Sequence, residues 1–161
     1  YFRVYSKLYR LNVISLRLPN CFGENQPVDG EDIGLVGSFI RDILKNKKIE
    51  IFGQGRKRNL LYVRDLSEIV FLLSEKQFRG FSAFNVSGNE IEIKELVEKI
   101  IEIIGSGDYI KKEIPTEIKA IDTGDATFKD EKLNRFLGQI PSTEIKTALR
   151  DTIKYFKENI K

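Results

Sequence analysis

Short β-branched runs alternate with amphipathic helical segments along this chain, and that alternation constrains its fold more than any other feature. Residues 12–18 are apolar and β-branched, as in a buried parallel strand, and 49–52, 60–63 and 83–86 are shorter runs of the same kind. Helical spacing of apolar residues is seen at 1–10, 32–45, 66–75, 93–104, 131–137 and from 141 to the end. Alternating strands and helices predict an α/β fold.

Polar residues and glycines predict where these segments begin and end. Asp32 and Asp65 precede apolar helical stretches and are predicted to cap them, so Asp65 is favoured as a helix cap over a catalytic acid. Gly105 is predicted to end the helix 93–104. Residues 53–59, with the sequence GQGRKRN, predict a tight basic turn.

Composition excludes several classes of function. The chain has no His, which excludes a Ser-His-Asp triad and a His-ligated metal, and we expect no metal site. Its net charge of +3 comes from interspersed charges, so nucleic acid is not an expected partner. A single Cys allows no intrachain disulfide and favours the cytoplasm. Neither a run of membrane-spanning length nor a signal peptide is seen, so no membrane partner is expected.

Four motifs occur in order between the predicted strands and helices. They are RLPNCFG at 17–23, IFGQG at 51–55 followed by Arg58 and by YVRD at 62–65, FNVSG at 84–88, and TGD at 123–125 followed by LG at 137–138. Their order and spacing resemble the second half of the extended short-chain dehydrogenases/reductases, the NAD-dependent nucleotide-sugar epimerase/dehydratase family. The resemblance covers essentially the whole chain.

This resemblance implies a particular part of a Rossmann-like enzyme. Residues 1–161 would hold the last parallel strands plus the small mixed α/β substrate-binding domain, and the N-terminal dinucleotide-binding portion would be absent. The chain contains no Met and opens inside a predicted helix, so we expect it to be a piece of something longer. Loss of part of the sheet predicts an exposed apolar surface.

The resemblance also implies three substrate-binding residues. Asn20 would contact the diphosphate or sugar, because an amide both donates to phosphate and accepts from a hydroxyl. Phe52 would lie beside the nucleotide base, and Arg58 would donate two parallel hydrogen bonds to the diphosphate. Each residue also has a structural alternative: a loop cap for Asn20, core packing for Phe52, and a solvated basic turn for Arg58.

Other motif positions are assigned to structure or depart from the family pattern. Asn85 is predicted to hold loop backbone, and the GxxG at 34–37 is read as loop-to-helix packing because no strand immediately precedes it. Glu24 stands where the family often has Pro. The positions before Gly124 lack the Arg with which relatives grip the second phosphate.

The chemistry implied by the resemblance requires residues that this chain lacks. No Tyr is followed four residues later by Lys, and the Gly-rich dinucleotide turn is missing, so no catalytic or cofactor-binding residue is predicted. The parent protein would use NAD or NADP to oxidise a nucleoside-diphosphate sugar transiently, ending in epimerisation, dehydration or decarboxylation. We expect the parent to be a homodimer and this chain alone to be inactive.

Two other hypotheses remain open at this stage. A non-catalytic, degenerate nucleotide-sugar-binding or regulatory relative is slightly favoured by the absent diphosphate Arg. A nucleic-acid module could use Arg56, Lys57 and Arg58, although acidic residues are interspersed with them.

Overall fold

The computed structural model describes residues 1–30, 32–53, 55–114 and 128–160, and it has the predicted α/β class. Its elements, in chain order, are α1 Phe2–Tyr9, β1 Val13–Arg17, β2 Asn20–Phe22, α2 Gly34–Leu44, β3 Ile49–Phe52, β4 Lys57–Tyr62, α3 Val63–Ser74, β5 Phe81–Asn85, β6 Asn89–Glu92, α4 Ile93–Ile104, β7 Tyr109–Lys112, α5 Glu131–Leu137 and α6 Ile145–Asn159.

The strands form three small sheets in which parallel pairing dominates. β1 pairs with β5, and β3 pairs with β7, both in parallel. The third sheet has the order β2-β4-β6, with β2 parallel and β6 antiparallel to the central β4. In α/β proteins, ligands bind at the loops that follow the carboxyl ends of parallel strands, so these loops are where a site is expected.

Strand β4 separates two hydrophobic cores. Successive side chains of a strand point to opposite faces, so Leu60 and Tyr62 enter one core while Leu61 enters the other. The larger core is built mainly by α2, β3, β6, α4 and α6 around β4. The smaller core is built by α3, β5 and α5, with β1 packed against it.

Helix α1 buries very little of its surface. Ser6 is its buried residue, and Ser6 Oγ donates to the Leu11 carbonyl at 2.8 Å. The apolar side chains of α1 are exposed, with Phe2 at 65%, Tyr5 at 51% and Leu8 at 68%. The predicted exposed apolar surface is therefore present in the structure.

The turn predicted at 53–59 is wrong in its second half. β4 begins at Lys57, and Arg58 lies on the strand opposite Ile91 of β6. β4 thus begins with the polar residues Lys57, Arg58 and Asn59. Lys57 is accommodated by an ion pair with Glu90 across the sheet, with Nζ 3.1 Å from Oε1. The sequence also did not predict β2, β6 and β7 as strands, since all are short and each is set by its partner strand.

The two predicted helix caps are also wrong. α2 begins after Ile33 and α3 after Tyr62, and neither start has a side-chain cap. Asp65 instead lies buried in the first turn of α3, where it accepts hydrogen bonds from the Thr143 amide at 2.9 Å and Thr143 Oγ1 at 2.6 Å. This carboxylate stabilises the segment before α6, which starts at Ile145 and not at the predicted 141–142. Among the helices described, none is long and apolar enough to cross a membrane.

Candidate functional site

A cavity of about 290 Å³ opens beside the carboxyl end of β3. Phe52 is the last residue of β3, and its side chain is 40% exposed because it borders this cavity and not a core. The core-packing alternative for Phe52 is therefore not what the structure shows. Besides Phe52, the apolar part of the lining comes from five side chains: Leu35, Phe39, Ile51, Ile93 and Ile114.

The polar part of the cavity is mainly cationic. Arg56 and Arg58 line it together with one carboxylate, that of Glu50. The Glu50 carboxylate is paired with Lys112 on β7, so part of its charge is already balanced. Arg58 Nη1 donates to the Lys57 carbonyl at 2.8 Å, which holds the guanidinium against the strand. An apolar cavity that is also lined by two guanidinium groups suits an anion that carries a planar ring.

Asn20 does not line this cavity. It is the first residue of β2, is exposed, and pairs in register with Leu60 of β4. Arg58 lies two residues before Leu60, so at ordinary strand spacing roughly 8 Å separates the Asn20 and Arg58 Cα atoms. The structure thus brings Phe52 and Arg58 to one cavity and places Asn20 on the adjacent strand, while the binding role of all three stays a prediction.

The sequence missed most of the cavity wall. Glu50, Leu35, Ile93 and Ile114 were not singled out, and Arg56 was named only for the nucleic-acid alternative. The alternation of Glu50 with Phe52 along β3 was an available signal, because side chains two apart share a face of a strand. The pairing of β4 with β6 brings Ile93 to the site, and nothing in the local sequence indicates that pairing.

The loop after Asn20 is held against the end of β4. The Gly23 amide donates to Gln26 Oε1 at 3.1 Å, and Tyr62 Oη donates to Glu24 Oε2 at 2.9 Å. Gly23 has a φ of +147°, and a Cβ there would lie 2.3 Å from Val63 Cγ1. A side chain at this position would therefore push the loop off the strand.

Two structural assignments made from sequence are confirmed. Asn85 Nδ2 donates to the Lys129 carbonyl at 3.3 Å, so this amide does hold loop backbone. Gly37 is a packing residue, because a Cβ there would lie 2.2 Å from Gln26 Nε2 and 3.1 Å from Phe156 Cζ. Within the GxxG at 34–37, Gly37 therefore bears out the packing interpretation, whereas a Cβ at Gly34 would meet nothing within 4 Å.

The described residues do not fit a bound dinucleotide. None of the strand-to-helix connections within the described ranges has the Gly-rich turn that receives a pyrophosphate. No group of three His, Cys, Asp or Glu side chains that could hold a metal occurs in the part of the chain that is described. The TGD motif at 123–125, with the missing Arg before it, lies outside the described residues, as does Gln54.

Comparison with known proteins places the chain among Rossmann-like enzymes. It superposes on the crystal structure of UDP-glucose 4-epimerase from Thermotoga maritima, solved with UDP-glucose, with a TM-score of 0.82 and 25% identity; the match covers 98% of this chain and 50% of that one. A Methanocaldococcus jannaschii protein provisionally named UDP-glucose 4-epimerase is 28% identical over 162 residues, 99% of this chain and 50% of that protein. UDP-glucuronate 4-epimerase from Thermodesulfobacterium geofontis is 28% identical over 160 residues, 97% of this chain and 46% of that protein.

The fold and these matches define an α/β protein of the extended short-chain dehydrogenase class. The model of the NAD dependent epimerase/dehydratase family matches residues 1–87, and the chain belongs to this family. It spans about half the length of the relatives that it matches.

Proposed function

We propose that this chain binds a nucleoside-diphosphate sugar as the substrate-binding half of an NAD(P)-dependent epimerase/dehydratase. The observation that carries the proposal is that Phe52 and Arg58 line one cavity at the end of a parallel strand. A planar ring and a guanidinium six residues apart match the two chemically different parts of a nucleoside diphosphate.

Each side chain of the proposed site would contact a different part of the nucleotide sugar. The base would lie against Phe52 and the apolar wall, where its faces are removed from water. The diphosphate would be held by Arg58, with Arg56 adding a second positive charge to the lining of the same cavity. Asn20, on the adjacent strand, would contact the diphosphate or the sugar that extends from it. Binding energy from the nucleotide would then orient the sugar for a reaction carried out by other residues.

The smaller core is consistent with a parent protein in which an N-terminal portion packs against this region. β1 and β5 form a two-stranded parallel sheet, whereas parallel sheets are normally larger and covered on both faces. The exposed apolar side chains of α1 lie next to this sheet and would be covered by the same portion. NAD(P) would be bound there.

The parent protein would be a cytoplasmic homodimer. Cys21 is exposed and free, which is the state that a reducing compartment maintains. The exposed apolar side chains of α1 would offer surface to a second subunit as well as to the N-terminal portion.

Calorimetric titration of the chain with UDP-, dTDP- and GDP-sugars tests the proposal. Arg58→Ala is expected to raise the dissociation constant of the nucleotide sugar by about 10- to 100-fold, because hydrogen bonds to a charged group are lost. Arg79→Ala is the matched control, because it removes the same charge from an exposed loop outside the cavity. Absence of binding by the unaltered chain, or equal weakening by both variants, would refute the proposal.

A further inference from the structure

We propose that Glu24 is a positioning residue, which fixes β2 in register on β4 and thereby sets Asn20 relative to Arg58. The inference rests on the proposed function, since it concerns how that site is kept in shape. Its starting point is the shortness of β2, which has three residues and pairs with only three residues of β4. So short a pairing defines register weakly unless its ends are anchored.

The anchor at the carboxyl end of β2 is a hydrogen-bonded cluster around Glu24. Tyr62, the last residue of β4, donates from Oη to Glu24 Oε2 at 2.9 Å, with Oε1 at 3.1 Å. Arg64, the second residue of α3, forms an ion pair with the same carboxylate. Glu24 is thus held from two directions, two residues after the point where Phe22 pairs with Tyr62.

A second carboxylate extends the cluster to α6. Asp151 Oδ2 lies 3.3 Å from Tyr62 Oη and 3.8 Å from Arg64 Nη1. Arg64 lies between the two carboxylates and reduces their mutual repulsion. The loop, the end of β4, the start of α3 and one helix of the larger core are therefore tied at one point.

The buried phenol makes this anchor durable. Tyr62 is 2% exposed, and its ring packs against that of Phe22 with the centroids 5.7 Å apart. Burial, followed by the hydrogen bond to Glu24, raises the pKa of Tyr62, so the phenol stays protonated and remains a donor. The Glu24 side chain is only 15% exposed, whereas that of Arg64 is 67% exposed, so the Tyr62 bond is the stronger restraint.

The consequence for the site follows from strand geometry. Asn20 is two residues before Phe22, and a one-residue slip of β2 would move Asn20 along β4 by about 3.3 Å and turn its side chain to the other face. Glu24 does not line the cavity, so we expect its effect on binding to be indirect and to pass through Asn20.

Amide hydrogen exchange on the ligand-free chain gives the first test. Glu24→Ala and Tyr62→Phe are expected to speed exchange at Cys21 and Phe22 by about tenfold through local opening. Tyr62→Phe keeps the packed ring, so it serves if Glu24→Ala folds poorly. Glu24→Gln keeps an acceptor for the phenol and should stay close to the unaltered chain. Glu158→Ala, an exposed carboxylate of the same surface cleft, is the control. Unchanged exchange in both test variants would overturn the inference.

A double-mutant cycle on nucleotide-sugar affinity gives the second test. Glu24→Ala alone is expected to weaken binding about fivefold, and to add nothing once Asn20→Ala is present, because coupled residues are not additive. Multiplying effects, or an unchanged affinity in Glu24→Ala, would reduce Glu24 to a purely structural role. If the unaltered chain binds no nucleotide sugar, the proposed function fails, while the exchange measurements still decide whether Glu24 fixes the register of β2.

Discussion

The two cores on either side of β4 differ in how completely they are closed. Among the described residues, the larger core holds 17 buried hydrophobic side chains and the smaller core holds 6. α4 and α6 each bury three or more residues in the larger core, whereas α1, which lies over the β1–β5 sheet, buries only Ser6. The larger core is therefore well covered by its helices, whereas apolar side chains of α1 beside the smaller core remain exposed.

The candidate cavity lies on the side of the larger core. The cavity is built on β3, the start of β4 and the helix α4, all of which pack on the larger core. The smaller core supplies the parallel strands β1 and β5, whose sheet has only two members. The candidate cavity therefore depends on the larger core, whereas the β1–β5 sheet and α1 contribute none of its lining.

The largest effect expected from this comparison is on substitution of Phe156. This side chain of α6 is fully buried in the larger core. Phe156→Ala is expected to lower the free energy of unfolding by about 3–5 kcal/mol, from lost burial plus the cavity left behind. Urea denaturation followed by circular dichroism measures the change. Phe71→Ala on α3, where the ring is 62% exposed, is the matched control, and an equal loss there would break the comparison.

The next effect concerns the contact between α3 and the segment before α6, which joins the two cores. Asp65→Ala leaves the Thr143 amide and hydroxyl without their acceptor in a buried place. The expected loss in unfolding free energy is about 1–3 kcal/mol, the cost of unsatisfied buried donors. Asp32→Ala is the control, because Asp32 is exposed and does not cap α2. A larger loss at Asp32 than at Asp65 would restore the capping role predicted for Asp32 from sequence.

The fold could be predicted from sequence where one segment carries its own signal. The bounds of α4 and α5 agree with the predicted 93–104 and 131–137, because apolar spacing and a following glycine define both. β2, β6 and β7 could not be predicted, since each has three or four residues and becomes a strand only through its partner. Asp65 was misread because a carboxylate before a helix looks the same whether it caps that helix or binds Thr143, 78 residues away.

The candidate site shows the same limit. Phe52 and Arg58 are close because a short connection separates their strands, and the sequence motif contains both. The wall formed by Leu35 and Ile93 comes from α2 and α4, which only tertiary packing brings to the cavity. Glu24 was noted as a departure from the family pattern, but its partners Tyr62 and Arg64 lie 38 and 40 residues away, beyond any local pattern.

A smaller effect on stability is expected at the exposed face of α1. Replacing Tyr5 and Leu8 together by Gln keeps helix propensity and should change the unfolding free energy of the isolated chain by no more than about 0.5 kcal/mol. The same change should reduce self-association, since it removes exposed apolar surface. Sedimentation velocity over a range of concentrations measures it. Unaltered self-association would mean that this face is not the exposed surface that matters.

The smallest effect is expected from an ion pair on the surface of the larger core, between α6 and α4. Lys146 Nζ lies 2.6 Å from Glu102 Oε1, and this hydrogen bond lowers the pKa of the Glu102 carboxyl. A lowered pKa in the folded state means that the pair adds stability above the unfolded value of about 4.3, and that this is lost as the pH falls through the folded value. Glu102→Gln should therefore shift the melting temperature at pH 7 by only about 1 °C, as exposed pairs contribute little. Melting curves at pH 7, at pH 3 and in high salt should show the shift vanish in the last two conditions. A shift that persisted there, or that approached the loss in Phe156→Ala, would mean that charge and not packing distinguishes the larger core from the smaller one.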